Sequence, residues 1–578
     1  MIHEGPSTMA QHGALVAESR SAEVRGLRRC FIRMFRRRAA SATIVALAAS
    51  AFVAASFEQA SGAGSRAATL RIAFNADNPL LTSLDPFQVY WIEHRVVLRN
   101  VVESLTDQDP TTGKIIPWLA ESWEAGADGA SYIFKLREGV TFSNGEPLDA
   151  EAVKTAFDAD KAFLVTSPGA FGAAFLEGYD HAEVIEPHKI KIVLSKPNAG
   201  FLQATSTTTL AILAPESYKR SAKERSLGAI IGTGPFVLAS YTPEVGLELV
   251  RRKGYSWASH AVDNGGEAYL DRIEVRYVPE ASVRNGQFTL GETDILWPRD
   301  PFSEADIRVF KGKGAAIASR SLPGPAYNLY PNVTGGRPLG DPSLRKAVQK
   351  AIDRTSYART VYSDDFPVVQ GLLDVTTPYF KSEKDKLAYD PDGAAQLLEA
   401  AGWTLGKDRY RYKDGKRLSL LYVLWSKETA GDLLLQDQLR KVGIELKLSF
   451  LVPGEMITAL SAGKYDLVAL YLTRGDPIVL QSVLDPRFAP TGSRAAARNA
   501  FPPELGPAAE KLFDAGLAAT RDDDRARAYG ELQDLLIDNN LAFPLFERVW
   551  QAALAGKVSG FAWTAEGFAT LSSVRRTP

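Results

Sequence analysis

The sequence predicts a large α/β protein of more than one lobe, and three observations carry that prediction. Its 578 residues exceed what one small core supports, so domain-size considerations imply roughly two to four compact units. Segments of strand periodicity alternate with helical segments through most of the chain. The late stretch from Leu418 to Leu451 reads as strand, helix, strand with short joints, which implies a right-handed crossover in a parallel sheet.

Strand patterns dominate the first half: "TLRIAF", "YIFKLR", "KIKIVL", "GLELVRR" and "RIEVRYV". Between Gly126 and Asp158 the punctuation is dense. Asp128-Gly129 predicts a tight turn, because glycine supplies positive φ without a steric penalty. Tyr132, Phe134 and Leu136 then alternate with polar or outward positions, Asn144-Gly145 makes a second turn, and Asp149 caps a helix that buries Val153, Ala156 and Phe157. In the second half, Asp341-Pro342 and Asp390-Pro391 cap helices. The first buries Leu344, Ala347, Val348, Ala351 and Ile352; the second buries Ala394, Leu397 and Leu398 and stops at Gly402. "LSLLYVLW" (Leu418 to Trp425) is apolar on both faces, as a buried parallel strand requires. The next helix places Leu435, Leu439 and Val442 on one side and ends at Gly443, after which "IELKLSFL" alternates. "YDLVALYL" from Tyr465 is the following strand, and a last helix around Tyr529, Leu532, Leu535 and Leu536 leads into "LAFPLFERVW".

Composition is that of an ordinary globular protein: 45% apolar and 23% charged, with a formal net charge of −1. There is no global electrostatic argument for nucleic acid or an anionic membrane. The amino end is different. Arginines from Arg20 to Arg38 precede an Ala-rich run, Ala39 to Ala55, which falls short of the ~20 strongly apolar residues of a membrane span. Small residues follow at Ala60 to Ala63, so residues 1–63 read as a leader and secretory signal. Met34 gives that signal its usual length and is the expected start, with Met1 to Arg33 as an extended leader in the alternative. An amphipathic or membrane-anchoring N-terminus is a further alternative. Arg36-Arg37 lacks the apolar follow-up of a twin-arginine signal. The only cysteine, Cys30, precedes the apolar run, so the mature chain has no disulfide, thiolate metal site or lipoprotein anchor. A soluble, exported, periplasmic protein is expected.

"PWLAESWEAGADGASYIFKLREGVTFSNGEPLDAEAVKTAFD" resembles the signature region of the family 5 extracellular solute-binding proteins, the oligopeptide-, dipeptide- and nickel-binding components of ABC importers. "SLDP" and "VVESLTDQDPTTG" before it, and "GTGPFVL", "RIEVRYVPEASVRNGQFTLGETDI", "DPSLRKAVQKAIDR", "YDPDGAAQLLEAAGW", "QDQLRKVGIELKL" and "GKYDLVAL" after it, come in family order. The resemblance spans nearly all of the mature chain. It implies the two-lobed periplasmic-binding-protein fold, type II and cluster C-like, with an extra peripheral domain in the first lobe. The implied divisions are 64–107 and 232–322 for the main domain of the first lobe, 108–231 for the peripheral domain, 323–547 for the second lobe and 548–578 for a return to the first. Gly126 to Asp158 is then framework. The implied activity is capture of a small solute, a short peptide above all, between the lobes and delivery to a cognate ABC permease and ATPase complex. The implied protein is a monomer without a cofactor.

Enzymatic alternatives have little to stand on. Beyond the signal lie His94, His181, His188 and His260, none at metal-ligand spacing, so no metal site is expected. Ser461 and Lys464 form an SxxK match, without the KTG element of serine acyl-transferases. A secreted serine hydrolase using that pair is the alternative of another class, and a chemosensory protein of the same fold is a third reading. No catalytic residue is assigned.

Ligands of open α/β sheets collect beyond the carboxyl ends of strands. That rule selects Asn75, with Asp77 nearby, after "LRIAF"; Trp297, with Arg299 nearby, after "TDIL"; Trp425 after "LSLLYVL"; and Arg474 and Asp476 after "DLVALYL". Tryptophans at strand ends serve either as cleft walls or as core. The resemblance implies that Asp476, ahead of Pro477, supplies the carboxylate for a peptide's amino terminus. The alternative is a pair between Arg474 and Asp476 within the turn.

Overall fold

Two mixed β-sheets organise the chain, and burial on both faces explains which strands are central. In the computed structural model, residues 68–77, 83–90, 92–364, 366–425, 427–485, 487, 496 and 499–577 are described. The expected leader and signal, with Cys30, lie outside them. Among the described residues no helix is long and apolar enough to cross a membrane.

The first sheet has seven strands, in the order Ala316–Ser321, Val549–Leu554, Ile295–Trp297, Thr69–Phe74, Arg272–Tyr277, Gly246–Arg251 and Phe236–Thr242. Thr69–Phe74 is central and parallel to both neighbours. Ile72 and Phe74 enter one core with Val96, Val97 and Trp297, while Ala73 enters another with Phe288, Phe302 and Phe310. That division is the period of two expected of a strand buried on both sides.

A four-stranded antiparallel sheet, Ala120–Ala125, Ser131–Leu136, Lys189–Leu194 and Tyr179–Glu186, forms a peripheral unit. Its covering helix, Ala150–Thr166, begins where the Ala152 N–H donates to Asp149 Oδ1 at 2.8 Å. Val153, Ala156 and Phe157 of that helix join Tyr132, Phe134 and Leu136 in one core. Complete burial of a side chain such as Phe157 contributes roughly 1.5–3 kcal/mol.

The second lobe is built on five strands in the order Glu445–Phe450, Ser419–Leu424, Leu467–Leu470, Tyr327–Pro331 and Phe543–Phe546. The first three are parallel, as the strand–helix–strand pattern requires. Leu420, Tyr422 and Leu424 face one core and Val423 the other. The helix between the first parallel pair, Ala430–Lys441, carries a Thr429–Asp432 capping box and buries Leu435 and Leu439. Gly443 ends it at φ +87°. Helices Pro342–Ala351 and Pro391–Ala400 are capped by Asp341 and Asp390.

Two antiparallel segments join the lobes. Ala316–Ser321 pairs with Val549–Leu554 in the first sheet, and Tyr327–Pro331 pairs with Phe543–Phe546 in the second. Between these pairs run residues 322–326 and 547–548, where the Leu322 N–H donates to the Arg548 carbonyl at 2.7 Å. Pro323 and Pro325 bring no N–H donor to the ladder, so pairing lapses there. Gly324 adopts φ +113°, and a Cβ on it would lie 2.4 Å from the Leu472 carbonyl oxygen. Only glycine fits that backbone approach.

Candidate functional site

Strand ends from both sheets converge beside this crossing, and aromatic side chains there remain in contact with solvent. Tyr471, one residue beyond Leu467–Leu470, is 41% exposed; Trp425, one residue beyond Ser419–Leu424, is 39% exposed; and Tyr90, just ahead of helix Ile92–Leu98, is 48% exposed. Large rings of this kind are normally covered. Tyr90 belongs to the first lobe and Tyr471 to the second, yet Tyr471 acts on Tyr90. Although the side chain keeps an exposed face, the atoms crowded around its hydroxyl and the Tyr471 hydroxyl push the Tyr90 phenol up, while Arg548, Arg299 and Arg95 pull it down. These groups therefore share one crowded neighbourhood, open to solvent, which is the character of a cleft wall.

Arg548 sits at the base of the cleft, in the second crossing. Its Cζ lies 4.4 Å from the centroid of the Tyr471 ring, and Nη2 donates to Thr473 Oγ1 at 2.6 Å. Nη1 is buried and has no hydrogen-bond partner among the described residues. Leaving a buried donor unmatched costs about 1–3 kcal/mol, more for a charged group, so this nitrogen marks where an acceptor belongs. Across the cleft, Arg299 is bidentate to Glu93, with Nη2 at 2.8 Å from Oε2 and Nε at 3.2 Å from Oε1. Burial, and after it the exposed Asp300 of the first lobe, push up the Tyr362 phenol of the second lobe. Cations, a carboxylate and aromatic walls thus surround the opening.

The residues selected by the strand-end rule have divergent fates. Asn75 follows its strand as expected, and its Oδ1 accepts from Arg284 Nη1 at 3.3 Å. Asp77 Oδ2 accepts from the Tyr241 hydroxyl and the Glu244 N–H, both at 2.8 Å. Trp297 is 1% exposed and packs edge-on against Trp550 and Trp563 at 5.0 Å, so its ring is core rather than wall. Trp425 keeps an open face while its Nε1 donates to the Ala469 carbonyl at 3.1 Å. Arg474 and Asp476 do not pair with each other through hydrogen bonds. Asp476 accepts two from Arg525, Nη2 to Oδ1 at 2.7 Å and Nη1 to Oδ2 at 2.9 Å, and a third from the Ile478 N–H. A carboxylate so occupied does not present its oxygens to a peptide ammonium, and this corrects the role expected of Asp476. Arg474 is also buried and points into the first lobe.

Tyr90, Asp300, Tyr471 and Arg548 were not selected from the sequence. The strand-end rule reaches Tyr471, which lies within the "YDLVALYL" segment, but Arg548 stands between two strands and gains its place only from the crossing. Ser461 is exposed on the last turn of helix Pro453–Ser461, and Lys464 is exposed beyond it. Among the described residues no group of three or more His, Cys, Asp or Glu side chains is placed to hold a metal.

Two α/β lobes, joined by paired crossings and meeting at an aromatic and cationic cleft, define a solute-binding protein of the two-lobed class. The chain belongs to the bacterial extracellular solute-binding proteins, family 5: residues 114–494 match the model described as the middle part of that family. A probable di/tripeptide-binding protein 5 of Pseudomonas aeruginosa is 25% identical, over 80% of this chain and 87% of its own length. The nickel-binding periplasmic protein of Escherichia coli is 27% identical, over 75% and 81% respectively. Among solved structures, NikA from Brucella suis in complex with Fe(III)-EDTA is 26% identical and superposes with a TM-score of 0.76, covering 88% of this chain and all of that one. The serine-hydrolase alternative has no support in these relatives.

Proposed function

We propose that this protein is an exported, periplasmic carrier that encloses a small solute bearing a carboxylate, a short peptide in the first instance, and delivers it to an ABC permease and ATPase complex. The observation that carries the reading is the buried Nη1 of Arg548, unpartnered among the described residues, beside the solvent-exposed cleft aromatics. A carboxylate placed there receives a charge-assisted hydrogen bond, roughly twice as strong as a neutral one. Tyr90, Tyr471 and Trp425 form the walls, Asn75 lies at the first lobe's strand end, and Asp300 offers a carboxylate to a peptide's ammonium. The protein acts as a monomer, without catalysis, lipid anchor or cofactor. In this reading residues 108–231 are the peripheral domain, 323–547 the second lobe, and 548–578 the return.

A second reading, a metal chelate, is favoured by the likeness to the nickel-binding protein and to the Fe(III)-EDTA complex. The metal would then arrive with its own ligands, and the chelate's carboxylates would use the same arginine. Mass spectrometry of small molecules released on denaturing the protein from its native host decides the solute class. Calorimetry with a panel of di- and tripeptides tests the site: Arg548→Met is expected to weaken peptide binding at least 30-fold, the ~2–5 kcal/mol of a lost buried charged pair. Undiminished binding in the variant, or release of solutes that carry no anionic group, overturns the carboxylate reading.

A further inference from the structure

The loop from Thr473 to Pro477 belongs to the second lobe, yet its arginine is housed in the first. Arg474 Nε donates to Gln203 Oε1 at 2.9 Å, Nη1 to the Ala174 carbonyl at 2.9 Å and Nη2 to the Gly200 carbonyl at 3.2 Å. Its Cζ lies 4.6 Å from the centroid of Phe175, and only 1% of the residue is exposed. Phe175 and Ala174 belong to the core of the peripheral unit. At the other end, the Arg474 N–H donates to the carbonyl of Pro323, in the first crossing between the lobes.

The surroundings are fitted to this reach. Gln108 Nε2 of the first lobe donates to the Gly475 carbonyl at 2.9 Å, and the Ala199 N–H donates to the Leu517 carbonyl at 2.9 Å. A Cβ on Gly475 would lie 2.4 Å from Gln108 Oε1, and one on Gly200 would lie 2.7 Å from Ile478 Cδ1. Glycine on each side therefore lets the two lobes approach at backbone distance. None of this involves the cleft aromatics or Arg548 Nη1, and none of it needs a solute.

We propose that Arg474 is an interlobe latch, a side chain of the second lobe that holds the protein closed without solute by docking into the first. A buried guanidinium whose acceptors are two carbonyls and an amide is costly unless every bond is made. Hydrogen bonds weaken steeply once distance or angle departs from the ideal. Rotation of the lobes about residues 322–326 and 547–548 shears all three bonds together, so the latch acts as a two-state element. Solute then needs to supply only the remaining preference for closure, and its apparent affinity rises with the fraction already closed.

The test uses the mature protein freed of co-purified solute by partial unfolding and dialysis, with no ligand added. Small-angle scattering and distances between spin labels, one on each lobe, are compared for the unmodified protein, Arg474→Met and Gln203→Leu. Removing the latch is expected to enlarge the radius of gyration and to add a longer interlobe distance in both variants. If Arg474→Met fails to fold, Gln203→Leu, which keeps the arginine and removes one acceptor on the opposite lobe, decides alone. Folded variants whose radius and distances match the unmodified protein overturn the proposal, because the contact would then be packing that travels with the crossing.

Discussion

Substituting Asp476 by Asn separates two roles that one carboxylate could play. In the structure Asp476 is 3% exposed and Arg525 8% exposed, and two parallel hydrogen bonds of 2.7 and 2.9 Å join them. Burial alone would pull the Arg525 guanidinium down, but the Asp476 charge more than reverses this and holds it above its ordinary value. Asparagine keeps one acceptor for the Ile478 N–H and hence the turn. It also sets an amide against a guanidinium that has no other carboxylate at hydrogen-bond distance among the described residues. Removing one partner of a buried ion pair costs about 3–5 kcal/mol. With a urea m-value near 3 kcal/mol per molar, the unfolding midpoint should fall by about 1–1.7 M. Tryptophan fluorescence in urea measures this, and calorimetry on the same preparation should show solute affinity changed by less than about threefold, or ~0.6 kcal/mol. The double variant Asp476→Asn with Arg525→Met should recover part of the loss, since no unpaired charge then remains buried. An Asp476→Asn protein as stable as the unmodified one, with affinity reduced 30-fold or more, would refute the reasoning and return Asp476 to the cleft.

Trp297→Ala should destabilise the protein by about 3–5 kcal/mol as a cavity opens in the core. Trp425→Ala, on the open wall, should cost about 1 kcal/mol through its bond to Ala469 and act mainly on affinity; thermal melts without solute, followed by titrations, separate the pair, and equal melting losses would argue against it. Burial and the neighbouring Asp374 carboxyl push Glu547 up to about 10, from an ordinary value of 4.5. The folded chain therefore retains a proton that the unfolded chain releases, and stability is lost progressively as pH rises from about 4.5 toward 10. Glu547→Gln should remove that loss, so its advantage in melting temperature grows from pH 5 to pH 9; parallel pH profiles for the two proteins would count against the assignment.

Local chemistry made much of the architecture legible in the sequence. Asp149, Asp341 and Asp390 cap helices because a side-chain oxygen two or three residues ahead of free N–H groups needs nothing distant. Leu420, Tyr422 and Leu424 divide from Val423 because a strand alternates wherever it lies. The strand-end rule found Trp425 and came within reach of Tyr471, since parallel strands must end on one side of their sheet. Tertiary structure decided the rest. Trp297 is core because Trp550 and Trp563 return to it from more than 250 residues away. Asp476 is spoken for because helix Asp522–Asp538 brings Arg525 against it. Arg474 and Arg548, indistinguishable from surface arginines in the sequence, became a bridge between lobes and a buried cation at the crossing with one nitrogen unpartnered among the described residues. Side-chain roles such as these depend on which partner arrives from elsewhere in the chain, and periodicity carries no information about that.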